Sequence, residues 1–197
     1  MGTLACCLIG YFLGSIPNGL FFGKLLWNVD LREHGSHNIG ATNAWRTLGK
    51  SAGFLIFFLD FLKGFFSVWI ASAVVGTPIA MVLAGILAIV GHSCSVFLGF
   101  HGGKGVATGL GVVAMLMPLP TVFVFLVWLA IVYKTKYVSL GSCVAAALVP
   151  ISAYFFHSPV EYVGFGVLAA VLIIVRHRSN IVRLMNGTES KIKAGHR

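Results

Sequence analysis

Apolar residues dominate the chain in long blocks, separated by short polar stretches that carry almost all of its charge. The blocks fall at roughly residues 3–26, 51–76, 78–100, 106–117, 119–133, 139–156 and 160–175. A membrane helix needs about 20 apolar residues, and fewer where neighbouring helices bury it. The pattern therefore predicts an all-α integral membrane protein with one membrane domain over residues 1–197. The fourth and fifth blocks are short and meet at Met117-Pro118-Leu119-Pro120, so periodicity alone would also allow one kinked helix there.

Charge separates the two counts. With seven spans and the N-terminus outside, 13 of the 14 basic residues fall on one side. They are Lys24, Arg32, Arg46, Lys50, Lys104, Lys134, Lys136, Arg176, Arg178, Arg183, Lys191, Lys193 and Arg197. The opposite connections, near Gly76-Thr77, Met117-Pro118 and His157-Ser158, hold no Lys or Arg. Merging blocks four and five would put a basic loop or the basic tail on the wrong side of the positive-inside rule. The expectation is seven transmembrane helices with the C-terminus in the cytoplasm.

Composition agrees. Apolar residues make up 58% of the chain and charged residues 10%, with mean hydropathy +0.94. A soluble domain carries about 25% charged residues. The formal charge of +9 belongs to span ends and forms no soluble basic domain, so nucleic acid is not an expected partner; membrane lipid is. With so few carboxylates to pair with, some cations are left for an anionic substrate. Cys6, Cys7, Cys94 and Cys143 have no metal or disulfide spacing and lie in apolar stretches, as small hydrophobes do. The first block lacks a basic n-region and a clear cleavage site, and it reads as a retained span.

Two features sit inside spans. Asp60 and Lys63 are three apart, hence on one helix face, and are expected to pair with each other or with nearby polar groups, either as a structural pair or in support of a site. Gly10-x-x-x-Gly14 and Gly19-x-x-x-Gly23 suit close helix packing, and Pro17 between them should kink the first span.

Three polar segments land on the cytoplasmic side. In the first loop, Gly35-Ser36-His37-Asn38-Ile39-Gly40-Ala41-Thr42-Asn43 offers short polar side chains and backbone N–H groups that can wrap anionic oxygens. Arg46 can add a bidentate phosphate contact. The second runs from His92 to Thr108, with Gly99-Phe100-His101-Gly102-Gly103-Lys104-Gly105 leading into the fourth span. Glycines let N–H groups converge on an oxyanion and Lys104 supplies a charge, but the spacing is not that of a nucleotide-binding P-loop. The third, from Arg176 to Glu189, places His177, Asn180 and Arg183 at three-residue spacing, expected on one helix face; Glu189 is expected to anchor the tail on a loop cation. Ser139 and Ser142 open the sixth span, as helix caps by default or as ligand contacts.

These segments, together with Gly14-Ser15-Ile16-Pro17 and the Gly91-His92 to Thr108 and Arg176-His177 to Glu189 runs, resemble the bacterial PlsY family along the whole chain. Its members are membrane-embedded glycerol-3-phosphate acyltransferases that use acyl phosphate as donor. The resemblance implies transfer of a fatty acyl group to the 1-hydroxyl of glycerol 3-phosphate, the first step of phospholipid synthesis. Lysophosphatidic acid and inorganic phosphate would be the products. It makes Ser36, Arg46, Lys104, His177 and Asn180 the expected catalytic residues, with Gly102-Gly103-Lys104-Gly105 at the glycerol 3-phosphate site and Glu189 in structural support. Asn38, Thr42, Asn43, His92, His101 and Ser142 join Gly102, Gly103 and Gly105 as candidate substrate contacts.

Acyl phosphate is a mixed anhydride with a good leaving group, so no acyl-enzyme is needed. The chain also places too few acids to complete a catalytic triad. No acid cluster is placed for a metal, and no metal or cofactor is expected. Nothing in the sequence asks for more than a monomer. The alternative reading is an anion or organophosphate transporter, against which the polar residues cluster on one face instead of at the midplane.

Overall fold

A computed structural model describes residues 1–192; Lys193 and Arg197 of the basic tail lie outside the described residues. The first apolar block is two helices, α1 (Gly2–Ser15) and α2 (Asn18–Trp27). Pro17 forces Ile16 into extended backbone (φ −57°, ψ 116°) and interrupts the ladder where the kink is expected. Helix α3 (Ala41–Leu48) follows, then α4 (Lys50–Val74) and α5 (Pro78–Ser93), the latter capped by Thr77 with Pro78 in its first turn. Next come α6 (Val106–Leu116) and α7 (Pro118–Thr135), separated by Met117, which precedes a proline and leaves the helical region at ψ 76°. Helices α8 (Val138–Phe155), α9 (Val160–Arg176) and α10 (Arg178–Met185) complete the described fold.

Several boundaries differ from the sequence expectation. Residues 41–48 are a helix within what reads as a polar loop. The third block stops being α-helical at Ser93, and residues 94–105 form a turn with only a 3-10 segment at Val96–Leu98. The chain bends by 62° between α9 and α10, so His177 joins two helices instead of lying on one face with Asn180. Neither Ser139 nor Ser142 caps α8, whose N-cap is Tyr137.

Helix α1 lies along α5, and α4 packs between α1, α5 and α6; α8 sits between α7 and α9. Their shared core includes Val68, Met81, Ile89, Val112, Val124 and Phe165. The outer faces carry exposed large apolar side chains such as Phe12, Phe54, Trp69, Leu119 and Leu126, which only a lipid solvent accommodates at this density. By length and composition, Gly2–Trp27 taken as one unit, α4, α7 and α8 can cross a membrane, and α9 with α10 gives a fifth if counted across the bend. Helices α5 and α6 are apolar but shorter.

The α1–α5 contact is set by backbone approach. A Cβ on Gly10 would lie 2.5 Å from the Ala84 carbonyl oxygen, and one on Gly14 would lie 2.1 Å from that of Ala88. The pairing therefore exists only because these positions lack side chains. Gly14→Ala should lower stability by about 1–3 kcal/mol, the usual cost of overpacking. Gly164→Ala, where a Cβ meets nothing within 4 Å, should be neutral. Thermal unfolding of the two detergent-solubilised variants against the parent checks this difference.

Candidate active site

The polar loop before α3 is organised by its own amides. The Asn43 side chain contacts the Leu31, His34 and Asn38 carbonyls at 2.8–3.0 Å through Nδ2, and its Oδ1 accepts from the Ser36 N–H at 2.8 Å. Asn38 Oδ1 accepts from the Gly40 N–H at 2.9 Å, just before the helix starts. Ala41, Ala44 and Leu48 bury the inner face of α3 against Leu31, Ala52 and Ile56. Thr42 and Arg46, four residues apart, share another face.

The 94–105 turn is pinned from two sides. The Gly103 N–H donates to the His92 carbonyl at 3.0 Å, and the Arg176 guanidinium donates to the Gly102 and Gly103 carbonyls at 3.1–3.3 Å. Gly105, at φ +78°, turns the chain into α6 through the left-handed region that glycine tolerates. Lys104 thus projects from a fixed backbone and donates to Asn180 Oδ1.

At the α9–α10 corner, His177 is buried and its Nδ1 lies 2.8 Å from the Ile173 carbonyl. A carbonyl only accepts, so Nδ1 carries the proton and Nε2 is the basic nitrogen. Asn180 is buried and donates from Nδ2 to Glu189 Oε1 at 2.6 Å. Glu189 also accepts from Ser139 Oγ at 2.8 Å and from Arg183 Nε at 2.7 Å. Its anchor is therefore α10 and not a loop cation. Beyond Glu189, the Arg46 guanidinium donates to the Ser190 carbonyl, and the Ile192 N–H donates to the Lys136 carbonyl at 2.8 Å. The 186–192 segment is laid across the ends of α3, α8 and α10.

These three segments wall a cavity of about 170 Å³. Its polar end is lined by Ser36, Asn38, Thr42, Asn43, Arg46, Asp60, His92, Lys104, Gly105, Ser139, Ser142, His177, Asn180 and Glu189. Its other end runs between α6, α7, α8 and α9 along Leu110, Val113, Val124, Phe125, Trp128, Ala145, Val149, Ala169 and Ile173. From Ser139 to Val149 along α8 is about 15 Å at the helical rise. One cavity thus joins a charged head to an apolar arm.

The charge balance at the head is uneven. Of the five acidic residues, Asp30 pairs with Lys24 and Arg32, Asp60 with Lys63, and Glu189 with Arg183. Among the described residues, Lys104 and Arg46 make no ion pair and the buried Arg46 Nε has no hydrogen-bond partner. Burial pushes the Lys104 ammonium down to about 8; Glu189 pulls it back up while Arg183 and Arg46 push it further down. Among the described residues no cluster of three or more His, Cys, Asp or Glu could hold a metal ion.

Most of the residues picked out from the sequence meet at this cavity, with three exceptions. His101 is exposed and its Nδ1 lies 2.8 Å from the Gly99 carbonyl, while Gly102 and Gly103 lie behind Lys104 and do not line the cavity. The Gly103 N–H, expected to face an oxyanion, is spent on the His92 carbonyl. Asn43 lines the cavity, but its amide is fully engaged by the loop. Ser142 Oγ donates to the Val138 carbonyl at 2.9 Å and accepts from Trp128 Nε1 at 3.3 Å. Ser139, left open between cap and ligand contact, lines the cavity; missed in the sequence were Asp60 and Glu189 as cavity residues, the Arg176 clamp, and the apolar arm. A charge inside a span was the available signal for Asp60.

The fold and the cavity define a multi-pass helical membrane protein in which one cavity joins a cation-lined head to an apolar arm. The family model described as glycerol-3-phosphate acyltransferase matches residues 4–187, and the chain belongs to that family. It is 46% identical over 192 residues to a glycerol-3-phosphate acyltransferase of Syntrophomonas wolfei subsp. wolfei, covering 98% of each chain. It is also 46% identical over 189 residues to glycerol-3-phosphate acyltransferase 2 of Moorella thermoacetica, covering 96% of this chain and 97% of that one. Among solved structures it is similar to PlsY, an integral membrane glycerol 3-phosphate acyltransferase. The glycerol 3-phosphate form matches with TM-score 0.93 at 43% identity over 98% of this chain and 96% of that one. The lysophosphatidic acid form matches with TM-score 0.91 at 41% identity over 98% and 97%.

Glu189 ties three elements together, and burial, which pushes its carboxyl up, is outweighed by the bonds from Asn180, Ser139 and Arg183 that hold it below its usual 4.5. Such a lowered group contributes stability that is complete above 4.5 and is lost as pH falls through its folded value. Glu189→Gln should cost about 1–3 kcal/mol at pH 7, by loss of the charged bond to Arg183. The gap between parent and variant in thermal unfolding should narrow as pH falls below 4.5.

Proposed function

We propose that this chain transfers a long-chain acyl group from acyl phosphate to the 1-hydroxyl of glycerol 3-phosphate, giving lysophosphatidic acid and inorganic phosphate. The observation that carries the reading is the pair Arg46 and Lys104, two cations that have no carboxylate partner among the described residues, at the head of a cavity whose other end is apolar. Both substrates carry a phosphate and one carries an acyl chain, so head and arm fit both ends of the reaction. Membership in an acyltransferase family favours this over phosphate-ester transport.

In the reaction, the glycerol hydroxyl oxygen attacks the acyl carbonyl carbon and the bond from that carbon to the phosphate oxygen breaks. The phosphate departs with the electron pair. Lys104 and Arg46 hold the two phosphates and offset charge developing on the carbonyl oxygen, aided by Ser36, Thr42 and Asn180. The hydroxyl proton goes to His177 Nε2, whose partner nitrogen is tied to the Ile173 carbonyl, or to an oxygen of the departing phosphate. No acyl-enzyme forms. Asn38, Asn43, His92 and Ser142 shape the walls, and Gly102, Gly103 and Gly105 set the path of the Lys104 turn. His101 has no place in this scheme.

For topology we propose seven spans forming one membrane domain, with the N-terminus outside and the polar head facing the cytoplasm of a bacterial cell membrane. Helix α6 rises only about 17 Å over its 11 residues, so the Lys104 turn before it lies below the cytoplasmic surface. Irregular backbone is stable at that depth when protein buries it and it lines a cavity. Membrane lipid surrounds the protein.

Purified protein in lipid, given palmitoyl phosphate and glycerol 3-phosphate, should release phosphate only when both are present and yield lysophosphatidic acid. Lys104→Ala should lower turnover by roughly a hundredfold or more, as loss of a preorganised charge does. No release from well-folded protein would sink the assignment. A raised KM for glycerol 3-phosphate is expected above pH about 8, where the free enzyme's Lys104 loses its proton. The sign follows from the cation being complete below that value. Lys104→Arg should remove this pH dependence, because guanidinium stays charged.

A further inference from the structure

A buried polar network lies one layer beneath the Lys104 turn, at the break in the first span. At the Pro17 break the Ile16 carbonyl accepts from the Asn18 N–H at 3.0 Å, and Lys63 Nζ from α4 donates to the same oxygen at 2.8 Å. Asp60 Oδ1, one turn earlier on α4, offsets that charge at 2.9 Å and also accepts from Asn18 Nδ2 at 3.0 Å. Asp60 and Lys63 are both buried. The helix break alone accounts for Lys63 and its counter-ion. It does not account for His92.

His92, at the end of α5, is 5% exposed, and its Nδ1 is buried without a hydrogen-bond partner, 3.8 Å from Asp60 Oδ1. A small turn of the ring would bring the two atoms within hydrogen-bond distance. The other edge of the ring carries the Lys104 turn: a Cβ on Gly103 would lie 2.0 Å from His92 Nε2 and within 3.0 Å of both neighbouring ring carbons. The Gly103 N–H is bonded to the His92 carbonyl as well. With Arg176 holding the Gly102 and Gly103 carbonyls from the opposite side, the His92 ring is the surface on which Lys104 is seated. Ring orientation therefore sets where the ammonium points, and the Asp60 carboxylate is a charged group within 4 Å of the ring's Nδ1.

We infer that Asp60, acting through His92, is a positioning residue for Lys104, and that the Asp60–Lys63 pair is retained for this as well as for closing the helix break. The inference rests on the proposed role of Lys104 at the glycerol 3-phosphate site. Displacing a phosphate-holding cation by about 1 Å costs up to a hundredfold in catalysis. The effect falls on the substrate that Lys104 holds.

The test uses full-length protein in lipid and three variants: Asp60→Asn, the charge-balanced double Asp60→Asn/Lys63→Met, and His92→Gln. Turnover, both KM values, glycerol 3-phosphate affinity by calorimetry and thermal midpoints are read together. The double variant should recover the thermal midpoint lost in Asp60→Asn yet keep a KM and a dissociation constant for glycerol 3-phosphate raised roughly tenfold or more. The KM for acyl phosphate should stay at the parent value, and His92→Gln should show the same split. If the double variant regains midpoint and glycerol 3-phosphate affinity together, or if His92→Gln binds like the parent, Asp60 is only a structural counter-ion and the inference fails. A parent protein that neither binds nor acylates glycerol 3-phosphate overturns the functional reading first, and this inference with it.

Discussion

Taking a cation out of water costs several kcal/mol unless negative or strongly polar groups meet it, and inside a membrane protein that demand governs where every Lys and Arg can go. This chain has 14 such residues and five carboxylates. Three carboxylates are already committed, Asp30 to Lys24 and Arg32, Asp60 to Lys63, and Glu189 to Arg183. Lys104 and Arg46 are then held by neutral oxygens alone, those of Asn180 and of the Ser190 main chain. Their residual demand for an anion is the physical origin of the site.

The surroundings of the two cations follow from it. An amide oxygen can hold Lys104 only if its own N–H2 group is fixed, and Glu189 fixes it while also tying Ser139 and Arg183 into place. The tail crosses α3, α8 and α10 because Glu189 and Ser190 belong to it. The apolar arm has a separate cause. Helices α6 to α9 meet through small residues such as Ala145, Ala146, Ala169 and Ala170, which leave room between them. Head and arm join where α6 begins, at Gly105, so a phosphate at Lys104 and an apolar chain between the helices can belong to one molecule.

Hydropathy made most of the helices legible, because long apolar blocks fold as helices whose outer faces suit lipid. Local breaks were less visible. Helix α3 was hidden in a polar stretch since only Ala41, Ala44 and Leu48 face its small core, although their spacing of three and four residues was the available sign. The corner at His177 follows an apolar run that ends in Arg176-His177-Arg178, which reads as helix continuation when chemistry alone is considered. Cations and short polar residues of the three motifs meet at one cavity. What the sequence could not separate was a side chain that faces the cavity from one that builds its wall. Asn43 spends its amide on the loop, and Gly102 and Gly103 give their carbonyls to Arg176. These depend on three-dimensional partners far away in the chain.

The most direct measurement is a structure of the protein in lipid with a long-chain acyl phosphonate, an unreactive relative of acyl phosphate. The phosphonate should sit between Lys104 and Arg46, with its chain running past Ile173 toward Val149 between α6 and α9. A phosphonate placed elsewhere, or a chain lying on the outer lipid-facing surface with the cavity left unfilled, would contradict the two-ended site.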